Sequence, residues 1–199
     1  MTDEMTPDQQ AREWCEEASL GKREAACKLV SHFHRIIYAY LRRLTGNDED
    51  AADLTQETFT KTWQSLTKFR GASTVATWIH RIAYFSYVDW LRKRKPVAAQ
   101  PEDWWDAVPC GQPSPFDITA NVDSSRRLYS LVEALEPETR RAAIHLHYYQ
   151  GLSLGETAEV LGMPVSTLKH QLRSALDELK SQLIERPKAN LNPTDRKFP

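Results

Sequence analysis

The sequence predicts an all-α protein made of two small helical domains, an N-terminal helical bundle and a C-terminal helix-turn-helix domain, joined by a flexible acidic linker. Seven glycines in 199 residues and a scarcity of β-branched runs leave little from which to build strands. Apolar residues recur instead at three- and four-residue spacing over long stretches. Charge is also unevenly spread: the total is −1, but residues 1–60 carry −5, 61–95 carry +7, 96–125 carry −5, 126–186 are neutral and the tail carries +2.

The N-terminal domain is expected over residues 1–95 as three antiparallel helices. Leu29, Phe33, Ile36, Ile37, Tyr40, Leu41 and Leu44 keep helical period from about Lys22 to Thr45. Gly46 and Asn47 then supply a stop, and Asn47 or Asp48 a cap for the next helix. That helix runs to about Leu66, with Asp50, Asp53 and Glu57 near its N-terminus and Leu54, Phe59, Trp63 and Leu66 as apolar positions. A loop through Phe69, Arg70 and Gly71 leads to a third helix over about 74–95, with Val75, Trp78, Ile79, Ile82 and Leu91 pointing inward.

Pro96, Pro101, Pro109, Pro113 and Pro115 make residues 96–124 a linker, either disordered or laid along something basic. Helical pattern returns over 125–186. One short helix reaches Leu135, and a second begins near Pro137, which suits a first-turn position, and ends at Gln150-Gly151. Ser153 and Glu156 have capping-box spacing, Gly162 permits a tight turn, and Leu168, Leu172, Ala175, Leu179 and Leu183 form one stripe. Residues 187–199 read as a loose tail.

Several function classes are disfavoured. No apolar run approaches the roughly 20 residues of a membrane span, and the acidic N-terminus is unlike a secretory signal, so a cytoplasmic protein without membrane insertion is expected. Cys15, Cys27 and Cys110 are odd in number and lack CxxC spacing, so they read as reduced thiols, with redox sensing a minor alternative. His32 and His34, like His145 and His147, are two apart and cannot share a helix face as metal ligands. No catalytic residue, metal or cofactor is assigned, and an enzyme is not expected.

Two segments carry binding chemistry. In a helix-turn-helix the second helix enters the major groove with its N-terminal residues at base edges. Its outward residues would be Ser166, Thr167, Lys169, His170, Gln171 and Arg173: Lys169 and Arg173 for phosphates or guanine, Gln171 for adenine, Thr167 for a phosphate or a thymine methyl. The other segment interleaves aromatic and basic residues: Phe69, Arg70, Trp78, Arg81, Tyr84, Phe85, Tyr87 and Trp90, then Arg92-Lys93-Arg94-Lys95. Aromatics beside cations suit unpaired bases, which stack on flat side chains while the backbone is held electrostatically. A plain core role is the expectation for Trp78.

These stretches resemble the sigma-70 family, in particular its extracytoplasmic-function (ECF) group. DAADLTQETFTKTW (50–63), FRGAS (69–73), TWIHRIA (77–83) and DWLR (89–92) are similar to that group's N-terminal domain, and PETR (137–140), GLS (151–153), AEVLG (158–162) and TLK (167–169) to its C-terminal one. The resemblance implies that Asp53, Leu54, Gln56 and Glu57 face the clamp of the largest subunit of core RNA polymerase. It implies that Lys68, Phe69, Arg70, Gly71, Ala72, Ser73 and Thr74 hold a base flipped from the −10 element of promoter DNA, with Arg81, Tyr84, Phe85 and Arg92 lining the adjoining path. Val165, Ser166, Thr167, Lys169, His170, Gln171 and Arg173 would read the −35 element, the C-terminal domain would touch the polymerase flap, and an anti-sigma factor would be a further partner. Phe85 stands where the group usually has Asn, HQLRSA (170–175) replaces a more arginine-rich pattern, and Pro164 replaces a capping Ser.

A rival reading is a duplex DNA-binding repressor that uses only the helix-turn-helix, with residues 1–95 as a sensor or dimerisation module. The clamp-like helix and the Phe69-Arg70-Gly71 loop speak against it.

Overall fold

The computed structural model describes residues 5–93 and 122–184, with side chains from 127 onward in the second stretch. The expected linker, the tail, Cys110 and Arg94-Lys95 lie outside these residues in whole or in large part. Every regular element among the described residues is helical. The N-terminal module has four α-helices, not three: α1 Pro7–Ser19, α2 Arg23–Thr45, α3 Asp48–Ser65 and α4 Val75–Lys93, with a 3-10 turn at Leu66–Lys68. Helix α1 was not expected from periodicity, yet its start is explicit. Thr6 and Gln9 form a capping box, and Pro7 occupies the first turn, where its missing N–H costs nothing.

Helix α2 ends at Gly46 in the left-handed conformation, and the Asn47 side chain accepts from the N–H groups of Glu49 and Asp50 to start α3. Arg42, buried in the last turn of α2, pairs with Asp48 across this corner, and the Tyr38 hydroxyl donates to the same carboxylate at 2.8 Å. The buried face of α3 departs from expectation. Leu54 and Leu66 are in the core, but Trp63 is 52% exposed, and Thr55, Thr58 and Thr62 are buried in its place. Each of these hydroxyls donates to the carbonyl four residues back, at 2.6, 2.7 and 2.8 Å, so each threonine packs as a small apolar residue.

The second module comprises α5 Val122–Glu133, α6 Glu138–Ile144, a π-helical turn His145–Tyr149, α7 Leu154–Leu161 and α8 Val165–Ile184. Pro137 is the N-cap of α6, one place before the expected first-turn position. Ser153 and Glu156 form the expected capping box, and Gly162 ends α7 at φ +67°. Leu168, Leu172, Ala175 and Leu179 are buried, while Leu183 lies exposed beyond the core.

The modules pack together, α7 against α4, a contact that helical periodicity does not predict. Arg141 of α6 is the polar centre of this seam. It donates to the backbone carbonyls of Glu133 (3.0 Å) and Leu44 (3.3 Å) and to the Tyr87 hydroxyl (2.6 Å). The Leu44 carbonyl belongs to the last turn of α2, where helix geometry leaves acceptors without intrahelical donors. Nearby, the Arg43 guanidinium lies over the Tyr149 ring at 4.9 Å.

Two measurable consequences follow. Arg141→Met leaves the Glu133 carboxylate, 3.7 Å from the guanidinium, without its cation and the Tyr87 hydroxyl without its donor, and should cost about 3–5 kcal/mol in denaturant unfolding; a loss below about 1 kcal/mol would mean that the seam does not depend on it. His80 and His145 are fully buried, and burial pushes both imidazoles below their ordinary value of 6.5. The unfolded chain therefore takes up protons first as pH falls, so stability is full above about 6.5 and declines below it. The urea midpoint should be lower at about pH 5.5 than at about pH 7.5, and equal midpoints would contradict the burial.

Candidate polymerase and nucleic-acid interface

On α3, Asp53 and Gln56 are exposed and Glu57 half-exposed, with Asp53 one helical turn before the other two. Glu57 pairs with Lys61 at 2.7 Å. Leu54 is only 2% exposed and belongs to the core, so the expectation that it faces a partner is corrected: the same period that exposes Asp53 and Gln56 turns Leu54 inward.

The loop after α3 alternates. Lys68, Arg70 and Ala72 point to solvent, whereas Phe69, Gly71, Ser73 and Thr74 are half-buried. Phe69 packs on Trp78 with ring centroids 4.8 Å apart, and Trp78, expected in the core, is half-buried against it. Gly71 has φ +70°, where glycine alone carries no steric penalty. The Thr74 hydroxyl caps α4 by accepting from the Thr77 N–H at 3.1 Å.

Along α4, Arg81 and Arg92 are exposed and Phe85 is 43% exposed, with the Arg81 guanidinium 5.7 Å from the Phe85 ring centroid. Tyr84 is 6% exposed, and Tyr87 is buried as well. A place for Tyr84 along an open path is therefore corrected: it is enclosed, and burial, then the Glu138 carboxylate, raise its hydroxyl pKa.

Helix α7 stands over part of this surface. The Thr74 and Thr77 hydroxyls lie 3.2 and 3.1 Å from Glu156 Oε1, Arg81 donates to the Glu159 carbonyl at 3.4 Å, and a Cβ at Gly162 would come within 3.7 Å of Phe85. Glu156 Oε2 also accepts from the Ser153 N–H at 2.9 Å. Burial raises the Glu156 pKa, but hydrogen bonds from Ser153, Thr77 and Thr74 outweigh it and hold the carboxyl below its ordinary value of 4.5.

On α8, Val165, Ser166, Thr167, Lys169, His170 and Arg173 are exposed, as their spacing predicts. Gln171 is half-buried, and its Oε1 accepts from Arg140 Nε at 3.0 Å. One lone pair of its carbonyl is thus engaged by α6, which fixes the direction in which the amide points. Of the cysteines described, Cys27 is exposed, whereas Cys15 is buried and its thiol is pushed up to about 12, chiefly by desolvation, which keeps it protonated.

Two helical modules, one of them a helix-turn-helix with a bare recognition face, define a class of nucleic-acid-binding protein. Residues 29–97 match the model of Sigma-70 region 2, and residues 125–179 that of Sigma-70 region 4. The chain is 34% identical over 160 residues to the ECF RNA polymerase sigma factor SigE of Mycolicibacterium smegmatis, covering 79% of this chain and 61% of that relative's length. It is 31% identical over 162 residues to the ECF RNA polymerase sigma factor RpoE of Cereibacter sphaeroides, covering 80% and 86% respectively. A solved sigma factor RpoE, in complex with the anti-sigma factor NepR from Bartonella quintana, has a similar fold, with TM-score 0.59 and 19% identity over 81% of this chain and 97% of that one. The chain belongs to the ECF group of the sigma-70 family.

The Glu156 contact has a pH signature. Its lowered pKa means that its stabilisation is complete above the ordinary carboxylate value and is lost as pH falls through the folded one. Glu156→Gln preserves a capping-box side chain without the charge. Between about pH 5 and about pH 3 the wild type should therefore lose more unfolding free energy than the variant, and parallel losses would remove the carboxylate from the account.

Proposed function

We propose that the chain acts by binding and not by catalysis, as a sigma factor that directs core RNA polymerase to its promoters from within the cytoplasm. Asp53, Gln56 and Glu57 present an acidic edge to the clamp. The loop over residues 68–74, with Arg81, Phe85 and Arg92, captures unpaired bases of the −10 element. Val165 to Arg173 enter the major groove at the −35 element. A second contact, with the polymerase flap, falls to the C-terminal module.

The observation that carries this reading is the pairing of a region 2 match with a region 4 match in one chain, with Asp53 and Gln56 exposed on α3 and Ser166, Thr167, Lys169, His170 and Arg173 exposed on α8. A repressor needs only the second. The solved complex of a relative of similar fold with an anti-sigma factor supports an anti-sigma partner here too.

Magnitudes require the polymerase. Stacking returns about 1–3 kcal/mol per base, whereas opening DNA costs about 1.4 kcal/mol per base-pair step, so two captured bases fall far short of a melted bubble of about ten steps. Closure adds a requirement: with α7 on α4, Thr74, Arg81 and Phe85 are engaged by the second module, so loading the −10 strand needs the modules to part.

Start sites mapped after overexpression should share −10 and −35 sequences, and the purified chain with cognate core enzyme should give run-off transcripts from those promoters. Asp53→Ala with Glu57→Ala should abolish the transcripts while lowering the melting temperature only slightly, because the Glu57–Lys61 pair is exposed. Absence of promoter-specific transcripts from the wild type would refute the proposal.

A further inference from the structure

Helix α1 lies ahead of residue 29, where the region 2 match begins, yet it reaches the loop between α3 and α4. The contact is made by two side chains one turn apart. Arg12 donates through Nε to Asp8 Oδ2 at 2.7 Å, through Nη1 to the Gly71 carbonyl at 2.9 Å and through Nη2 to the Ser73 carbonyl at 2.7 Å. The other Asp8 oxygen, Oδ1, accepts from the Val75 N–H at 2.9 Å, the first amide of α4. One ion pair therefore fixes both the loop backbone and the start of the helix that follows it.

The geometry suits arginine in particular. Its planar fork addresses three acceptors from one rigid group, which a lysine ammonium on a flexible stem cannot do, and charge-assisted bonds are roughly twice as strong as neutral ones. The loop is shaped around this fork. A Cβ at position 71 would stand 2.5 Å from Arg12 Nη1, so the left-handed glycine serves the close approach as well as the turn. The guanidinium lies 5.9 Å from the Phe69 ring centroid, on a loop whose alternate residues Lys68, Arg70 and Ala72 face outward.

We propose that Asp8 and Arg12 are positioning residues for base capture: by holding the Gly71 and Ser73 carbonyls, they set the loop in the shape that selects the flipped −10 base. The proposal rests on the reading of residues 68–74 as the capture loop. A loop already in its bound shape loses less freedom on binding, and the difference appears as affinity and discrimination for the base that fits it. Two carbonyls turned toward α1 leave the outward side chains and the loop's open face for DNA. Helix α1, which lies outside the capture loop and ahead of the region 2 match, thereby enters the specificity of the chain.

The test uses the full chain with cognate core polymerase on a promoter mapped as above. Run-off is measured from that promoter and from versions carrying each other base at the captured position. The ratio between preferred and other bases is the readout, because a general loss of folded protein lowers every template equally and leaves it unchanged. Arg12→Lys, which keeps the charge but not the fork, should lower that ratio about tenfold, and Asp8→Asn should lower it to a smaller extent. Arg12→Ala should bring it near one.

If Arg12→Ala does not fold, the lysine and asparagine variants still decide the matter. Lys68→Ala and Arg70→Ala separate the two levels of the argument. Discrimination that survives in these loop variants removes the capture reading itself, and the brace with it. Discrimination that is lost in them but intact in Arg12→Lys and Asp8→Asn overturns the brace alone, leaving Asp8 and Arg12 as ordinary helix packing.

Discussion

Burial of α4 along two opposite faces is the constraint on which the rest of this structure depends. With 3.6 residues per turn, Val75, Ile79, Ala83 and Tyr87 fall on one side and enter the core of the first module. Thr74, Thr77, Arg81 and Phe85 fall on the other side and meet α7. A helix used this way cannot be a plain amphipathic one. Its second face must serve water, a neighbouring module and, on the proposed function, DNA in turn, which explains a stripe of threonine, arginine and phenylalanine where leucine would bind α7 more firmly.

The same constraint explains which parts of the fold were legible in the sequence. Helices α2, α3, α4, α7 and α8 announce themselves through period and caps, because those signals are local: Gly46 with Asn47, Ser153 with Glu156, and Gly162. Helix α1 carried an equally local signal at Thr6, Pro7 and Gln9, but its few buried residues, Ala11, Cys15 and Ala18, are small and make a weak apolar stripe. The seam between the modules was not legible at all. Arg141 and Tyr87 are 54 residues apart, and Glu156 is 82 from Thr74, so nothing in a helical period links them.

The candidate site divides along similar lines. Exposure on α8 followed directly from the leucine stripe opposite it, whereas Asp53, Gln56 and Glu57 were singled out by the family resemblance and not by the period of α3. Leu54 and Tyr84 did not fit a surface role, since a motif names a segment without saying which of its residues are the inward ones. Gln171 shows a subtler limit. Its place on α8 is as expected, but Arg140, on a helix about thirty residues earlier, bonds its carbonyl oxygen and so constrains how the amide is presented to a base.

The seam between α7 and α4 also gives occupancy a thermodynamic handle far from any partner. A ligand that requires the covered stripe binds only the fraction of molecules in which it is bare, and its apparent dissociation constant is the intrinsic one divided by that fraction. Arg141 helps to set that fraction while touching neither the acidic edge of α3 nor the recognition face of α8. On the proposed function, substitutions there would tune how readily the −10 strand is loaded while leaving the base-reading side chains unchanged, so occupancy of a promoter and choice of promoter are separable traits in one small protein.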